Sequence, residues 1–170
     1  MMKPLEKVRY LRDQYDCLSK YGVRSQLYFP PSKWQPGEVE ALKKNFSWLS
    51  SFYFDFIEEF DSVGLGWFTF YGSKNSEIIA ILDEVYYWKD NSKGDYFPFG
   101  KDPAGSVYTF NKQQQIICFD IEDYEWESPK LVSNSLEEFI DECLLGARYA
   151  EVENIENNLF YNFLKSQRWT

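Results

Sequence analysis

A chain of 170 residues that carries 27 Asp or Glu and no histidine has a narrow choice of chemistry. Without histidine it lacks the commonest general base, the Ser–His and Cys–His nucleophile pairs, and most zinc ligand sets. No P-loop and no G-x-G-x-x-G occurs, so no nucleotide-binding motif is present. No D-x-D-x-D-G spacing offers a calcium loop. Cys17, Cys118 and Cys143 have no C-x-x-C spacing. Cys118 and Cys143 lie among Ile, Phe and Leu, surroundings that raise a thiol pKa and make a poor nucleophile. Paired carboxylates remain: Glu58 with Glu59, Glu122 with Asp123, and Glu137 with Glu138. Sequence neighbours point in different directions on a helix or strand, so adjacency alone builds no site. Two carboxylates from separate segments, with aromatic rings to stack sugars, would make a glycoside hydrolase, an alternative that these residue types leave open. The expectation is a protein with no catalytic residues, no cofactor and no metal.

Charge points toward binding. Residues 1–44 hold nine Lys or Arg against five Asp or Glu, and the remainder holds nine against twenty-two. A body this acidic repels nucleic acid phosphates and anionic membranes and attracts a basic protein. Two stretches concentrate the acids. Asp55, Glu58 and Glu59 fall on one face of a predicted helix. Asp120, Glu122, Asp123, Glu125 and Glu127 bring five acids before the first base, Lys130, with Tyr124 and Trp126 set among them. Aromatic residues ringed by charge have the character of interface anchors. The bland alternatives are a solvated helix face for the first stretch and aromatics folded back onto the sheet for the second.

The elements that must position these groups follow from periodicity. Residues 4–21 form an amphipathic helix with Leu5, Val8, Leu11, Tyr15 and Leu18 inward, stopped by Gly22. Residues 23–37 are an extended, proline-rich connector, pinned by Leu27, Phe29 and Trp34, that covers a sheet edge or serves a partner. Helices are expected at 38–45, with Val39 and Leu42 inward, and at 48–60, with a Ser51 cap. Residues 64–71 read as one central strand and 77–82 as another, while 83–89 fits either a helical turn or a strand. The stretch 95–105, with Pro98, Gly100, Pro103 and Gly105, reads as a fixed loop. It leads into an antiparallel hairpin of strands 106–110 and 115–121. Leu131 and Val132 make a short edge strand. Ser135 and Glu138 match an S-x-x-E capping box ahead of a stripe of Leu136, Phe139, Ile140, Cys143 and Leu144, ended by Gly146. A last helix spans 148–165, with Val152, Ile155, Leu159, Phe163 and Leu164 inward. Helices, then strands, then helices indicate an α+β fold, a mainly antiparallel sheet with helices packed against it.

One ordered set of pieces resembles a known family. The FPFG run, the KDPAG turn, SVYTF, a polar turn and QIICFDI follow one another as they do in the SUKH superfamily. That superfamily includes yeast cell-wall regulators and many bacterial immunity proteins. Downstream, LVSNSLEEFIDECLL resembles its closing strand end and helix. Upstream, residues 39–71, with SSFYFDFIEEF and WFTFYG, resemble its opening. The resemblance spans roughly 39–145. Where the family often has Gly-Asp, this chain has Gly105-Ser106, so that acid is missing. The implied organisation is a single SUKH-like domain. Residues 1–37 add an N-terminal helix and connector, 38–146 form the family-like body, and 147–170 a C-terminal helix.

The implied function is that of an immunity protein, which binds a cognate toxin, possibly a nuclease, and blocks it without a covalent step. The expected contact residues are Asp55, Glu58, Glu59, Asp120, Glu122, Asp123, Tyr124, Glu125, Trp126 and Glu127. An interaction scaffold in a regulatory or cell-wall pathway is the alternative that the same resemblance allows. No long apolar run and no apolar leader is visible, so no membrane partner and a cytoplasmic location are expected.

Overall fold

The computed structural model describes residues 2–31, 34–73, 80–90, 95–120, 129–152 and 157–170. Among these, seven strands form one sheet in the order of the sequence, β1 to β7, every neighbouring pair antiparallel. Helices pack on it, so the fold is α+β as its pattern of elements predicts.

Helix α1 (Pro4–Asp13) buries Val8 and Leu11 and places Pro4 at its first position, where a missing N–H costs nothing. The predicted single helix to residue 21 is broken. After Asp13 the chain turns and continues as a 3-10 turn at Cys17–Tyr21, ended by Gly22 at φ 70°. The break sends Leu18 into the core and sets the Tyr15 ring edge-on to Phe29, with centroids 5.8 to 5.9 Å apart as in the Tyr10–Trp169 pair. The connector does cover a sheet edge: β1 (Leu27–Tyr28) pairs with β2 (Gly64–Leu65), and Trp34 Nε1 donates to the Ile57 carbonyl at 2.8 Å.

Helix α2 (Glu38–Asn45) buries Val39 and Leu42, as its spacing requires. Helix α3 (Ser51–Phe60) is capped by Ser50 rather than Ser51; the Ser50 hydroxyl accepts the Tyr53 N–H at 3.2 Å. The predicted strand 64–71 is a hairpin of β2 and β3 (Phe68–Phe70). Gly66 turns it at φ 61°, a left-handed backbone where a Cβ would also press on the Tyr149 and Phe160 rings. The predicted strand 77–82 keeps only a parallel bridge of Ala80 with Gly72 and is otherwise corrected: Ile81 opens helix α4 (Ile81–Asp90), and residues 77–79 lie outside the described residues. The fixed loop is corrected as well, because Phe97–Lys101 is strand β4. Pro98 pairs with Thr109 where β3 no longer runs alongside, so its missing N–H breaks no ladder on that side. Gly100 is required there because a Cβ would collide with the Phe68 ring and the Thr69 carbonyl.

The hairpin of β5 (Val107–Phe110) and β6 (Ile116–Phe119) matches expectation, with Tyr108 opposite Cys118 and Phe110 opposite Ile116. Strand β7 (Lys130–Ser133) closes the sheet as an edge. The Ser135 hydroxyl caps α5 (Leu136–Glu138) by accepting the Glu138 N–H at 3.1 Å. The Glu138 carboxylate reaches Asn134 N–H at 3.0 Å, one residue short of a reciprocal box. The helix runs on as a π-helical stretch, Phe139–Leu144, burying the predicted stripe. The single C-terminal helix is also corrected. Helix α6 (Tyr149–Val152) and helix α7 (Leu159–Ser166) are separate, with Asn158 capping α7. Leu159 is 50 % exposed, and Phe160 takes the inward place.

Among the described residues, the two faces of the sheet are covered unequally. On one, α3 and the π-helical stretch press Tyr53, Phe56 and Phe139 onto Phe68, Phe70, Phe97, Phe99, Tyr108 and Phe110. On the other, Trp88 of α4 meets Ile117 and Phe119, with Tyr96 and Val107 at its margin.

Candidate functional site

Four of the ten expected contact residues are described: Asp55, Glu58, Glu59 and Asp120. Glu122, Asp123, Tyr124, Glu125, Trp126 and Glu127 lie outside the described residues. The inward stripe of α3 turns Asp55, Glu58 and Glu59 outward, and Asp55 and Glu58 are exposed.

The three α3 carboxylates have different surroundings. Glu59 is held by two guanidinium groups from α1. Arg9 donates to it from Nε at 2.8 Å and from Nη2 at 2.6 Å, and Arg12 Nη1 donates at 3.1 Å. The hydrogen bonds from Arg9 are the main reason that the Glu59 carboxyl titrates below the ordinary carboxylate range. Arg12 also lies over the Phe60 ring at 5.2 Å. Glu59 therefore fastens α1 to α3. Glu58, exposed, has the half-buried Lys43 of α2 at 3.6 Å, a weak contact. Asp55 makes no ion pair or hydrogen bond among the described residues.

Asp120 sits at the end of β6, half-buried, with Lys130 of β7 at 3.7 Å. The other end of β6 is tied to the start of α3. Gln114 in the β5–β6 turn accepts the Ser50 N–H at 2.8 Å, and its amide donates to the Trp48 carbonyl. The α3 acids thus lie on the side where α1 and α2 pack, and Asp120 lies at the opposite end of β6 from the Gln114 tie.

The N-terminal basic surplus is largely spent inside the molecule. Besides Arg9 and Arg12, Lys7 is buried and stands 2.7 Å from Asp141 Oδ1, a charge contact rather than an aligned hydrogen bond. Its ammonium also donates to the Leu145 carbonyl at 3.3 Å, satisfying an oxygen at the end of the π-helical stretch. Sequence reasoning missed Lys7 and the Arg9–Glu59–Arg12 clamp. The i, i+3 placement of Arg9 and Arg12 on one helix face was the available signal, but nothing in it names a partner fifty residues away.

The thiols match their apolar surroundings. Burial pushes Cys118 and Cys143 each up to about 11. Cys17 is exposed. Among the described residues no group of His, Cys, Asp and Glu is arranged to hold a metal ion, and no helix is long and apolar enough to cross a membrane. Among the described residues, concavities open to solvent at two places. One, of about 440 Å³, is lined by Tyr15, Ser19, Gly22, Arg24 and Ser25. The other, of about 370 Å³, lies between Lys7, Asp141, Glu142 and Trp169. No protein-family model matches the chain, and no curated protein is similar enough to match it.

Proposed function

We propose that this chain is an immunity protein that binds a cognate toxin in the cytoplasm and neutralises it by non-covalent occlusion. The motif order shared with the SUKH superfamily supplies the reading, and the α+β fold is the class that this resemblance implies. The observation that carries it is the distribution of charge. The cations of α1 and α2 pair with Glu59 and approach Glu58, whereas the run from Asp120 to Glu127 holds five acids and has Lys130 as its nearest base in sequence. A sequence run this rich in acids, with Tyr124 and Trp126 between them, suits the basic surface by which a nuclease holds phosphate. Occlusion of that surface requires no reaction centre in this chain. Asp55 and Glu58 are secondary contacts, and Glu59 acts by fixing α1.

The test is co-expression with the toxin encoded beside this gene, together with association kinetics of the purified pair. Rescue of growth and a stable complex are expected. Reversal of Glu122, Asp123 and Glu125 to Lys slows association at low salt by about tenfold or more, because steering charges act mainly on the on-rate. Absence of both rescue and complex with that toxin and its relatives rejects the reading. An unchanged on-rate removes the acidic run from the contact.

A further inference from the structure

The smaller of the two concavities, about 370 Å³, lies where Gln167, Arg168 and Trp169 come down beside Lys7 of α1 and Asp141 and Glu142 of the π-helical stretch. Three departures from ordinary local structure meet there. Asp141 and Glu142 belong to a widened helical turn, in which the Leu145 N–H donates to the Ile140 carbonyl at 2.9 Å; such turns recur at functional sites. Lys7 is a buried cation, 2.7 Å from Asp141 Oδ1. Arg168 holds a left-handed φ of 59° just beyond α7, with the Trp169 N–H on the Leu164 carbonyl at 3.1 Å. Glycine is the usual residue at that place in a helix end, so an arginine stands there against backbone preference.

The charged groups of the concavity divide into a satisfied pair and a free pair. Lys7 and Asp141 neutralise each other, and the Lys7 ammonium spends its other donors on the Asp141 and Leu145 carbonyls. The Glu142 carboxylate and the Arg168 guanidinium make no ion pair or hydrogen bond among the described residues. Glu142 is half-buried and Arg168 exposed. The Trp169 indole is fixed by edge contacts with Tyr10 at 5.8 Å and Phe163 at 6.3 Å, and Lys7 Nζ stands 5.4 Å from its centroid. It is half-buried, and with Met2 it gives the concavity an apolar wall.

We propose that this concavity binds a free α-amino acid with an apolar side chain. The ligand ammonium meets Glu142, its carboxylate meets Arg168, and its side chain lies on Trp169 and Met2. A polyanion is opposed by Asp141 and Glu142, and a polyamine by Lys7 and Arg168, so the mixed set selects a molecule that carries both charges. Charge-assisted hydrogen bonds at its two ends supply the strong contacts. The volume stands at the low end for ligand pockets and suits a molecule this small. None of these residues is among the expected toxin contacts, so the site can fail or hold independently of the proposed function.

The test is isothermal titration calorimetry of the full chain with L-leucine, L-methionine and L-phenylalanine at millimolar concentration. Each is run beside the amine that lacks its carboxylate and the acid that lacks its ammonium. Saturable binding of at least one amino acid is expected, with its one-charge analogues weaker by about tenfold or more. Glu142→Gln and Arg168→Gly should each weaken it by about tenfold or more. Glycine suits the left-handed backbone at 168, so the Tm of Arg168→Gly should equal or exceed that of the wild type, which separates lost binding from lost fold. Amide NMR shifts on titration should centre on Glu142, Gln167, Arg168 and the Trp169 indole. No saturable binding of any of the three overturns the proposal. So does an analogue that binds as well as its amino acid, an affinity unchanged in either variant, or shifts centred elsewhere.

Discussion

The two faces of the sheet differ in what holds them. The face under α3 and the π-helical stretch is a continuous field of aromatic rings. Phe68 alone meets Phe70, Phe99, Tyr108 and Phe139 at centroid distances of 4.8 to 5.7 Å. Among the described residues, the face under α4 carries a smaller cluster, Trp88 set on Ile117 and Phe119. Both are apolar, but over the described residues the first interlocks many rings and the second few. Stability should therefore be graded across the sheet, with the thin face opening at lower free energy than the thick one.

The largest effect is expected at the centre of the thick face. Phe68→Ala removes a ring that five others, Trp67 among them, surround, and should cost about 3–5 kcal/mol in urea denaturation, enough to leave the chain largely unfolded if its reserve is ordinary. Trp88→Ala deletes a ring of larger area, yet it belongs to the smaller of the two described clusters, which can collapse into the space, so the cost should lie near the lower end of that range, about 3 kcal/mol. Hydrogen exchange should then speed up in α4 and β6 while β3 and β4 stay protected. A Trp88→Ala cost above that of Phe68→Ala, or loss of protection everywhere at once, would break the contrast between the faces.

A smaller effect separates burial from charge within the thick side. Glu59→Gln loosens the clamp on α1, but the pairs are partly exposed, so about 0.5–1 kcal/mol is expected at neutral pH. The sign with pH follows from the lowered pKa of Glu59. Its contribution is present above the unfolded carboxylate pKa and is lost as pH falls through the lower folded value. The gap between wild type and Glu59→Gln, measured by denaturation across acid pH, should close in that direction. A gap that persists below the folded pKa assigns the effect to packing.

Legibility in the sequence followed the strength of local patterning. The β5–β6 hairpin sets two runs rich in β-branched and aromatic residues around a polar turn, and the strands pair antiparallel as that composition predicts. Helix α2 was readable from Val39 and Leu42 alone. Three of the five misread elements show the physical reasons. GLGWFTF is apolar on both sides of Gly66, so a turn between two short strands looks like one longer strand. Pro98 and Gly100 carry loop composition, yet one sits beyond the reach of β3 and the other is small because Phe68 crosses it. A short apolar run such as EIIAIL cannot be assigned by periodicity, and its described end is helical. At the candidate site, outward placement of Asp55 and Glu58 was legible from the inward stripe. The engagement of Glu59 was not, because charge pairing between distant segments leaves no local period.

The sheet's spatial order repeats its order in the chain, strand by strand. A strand leaving the ribosome thus finds its neighbour already made and never waits for one still to be synthesised. Vectorial assembly of this kind keeps each open edge exposed only until the next strand emerges, which shortens the time in which a half-built sheet can join a stranger.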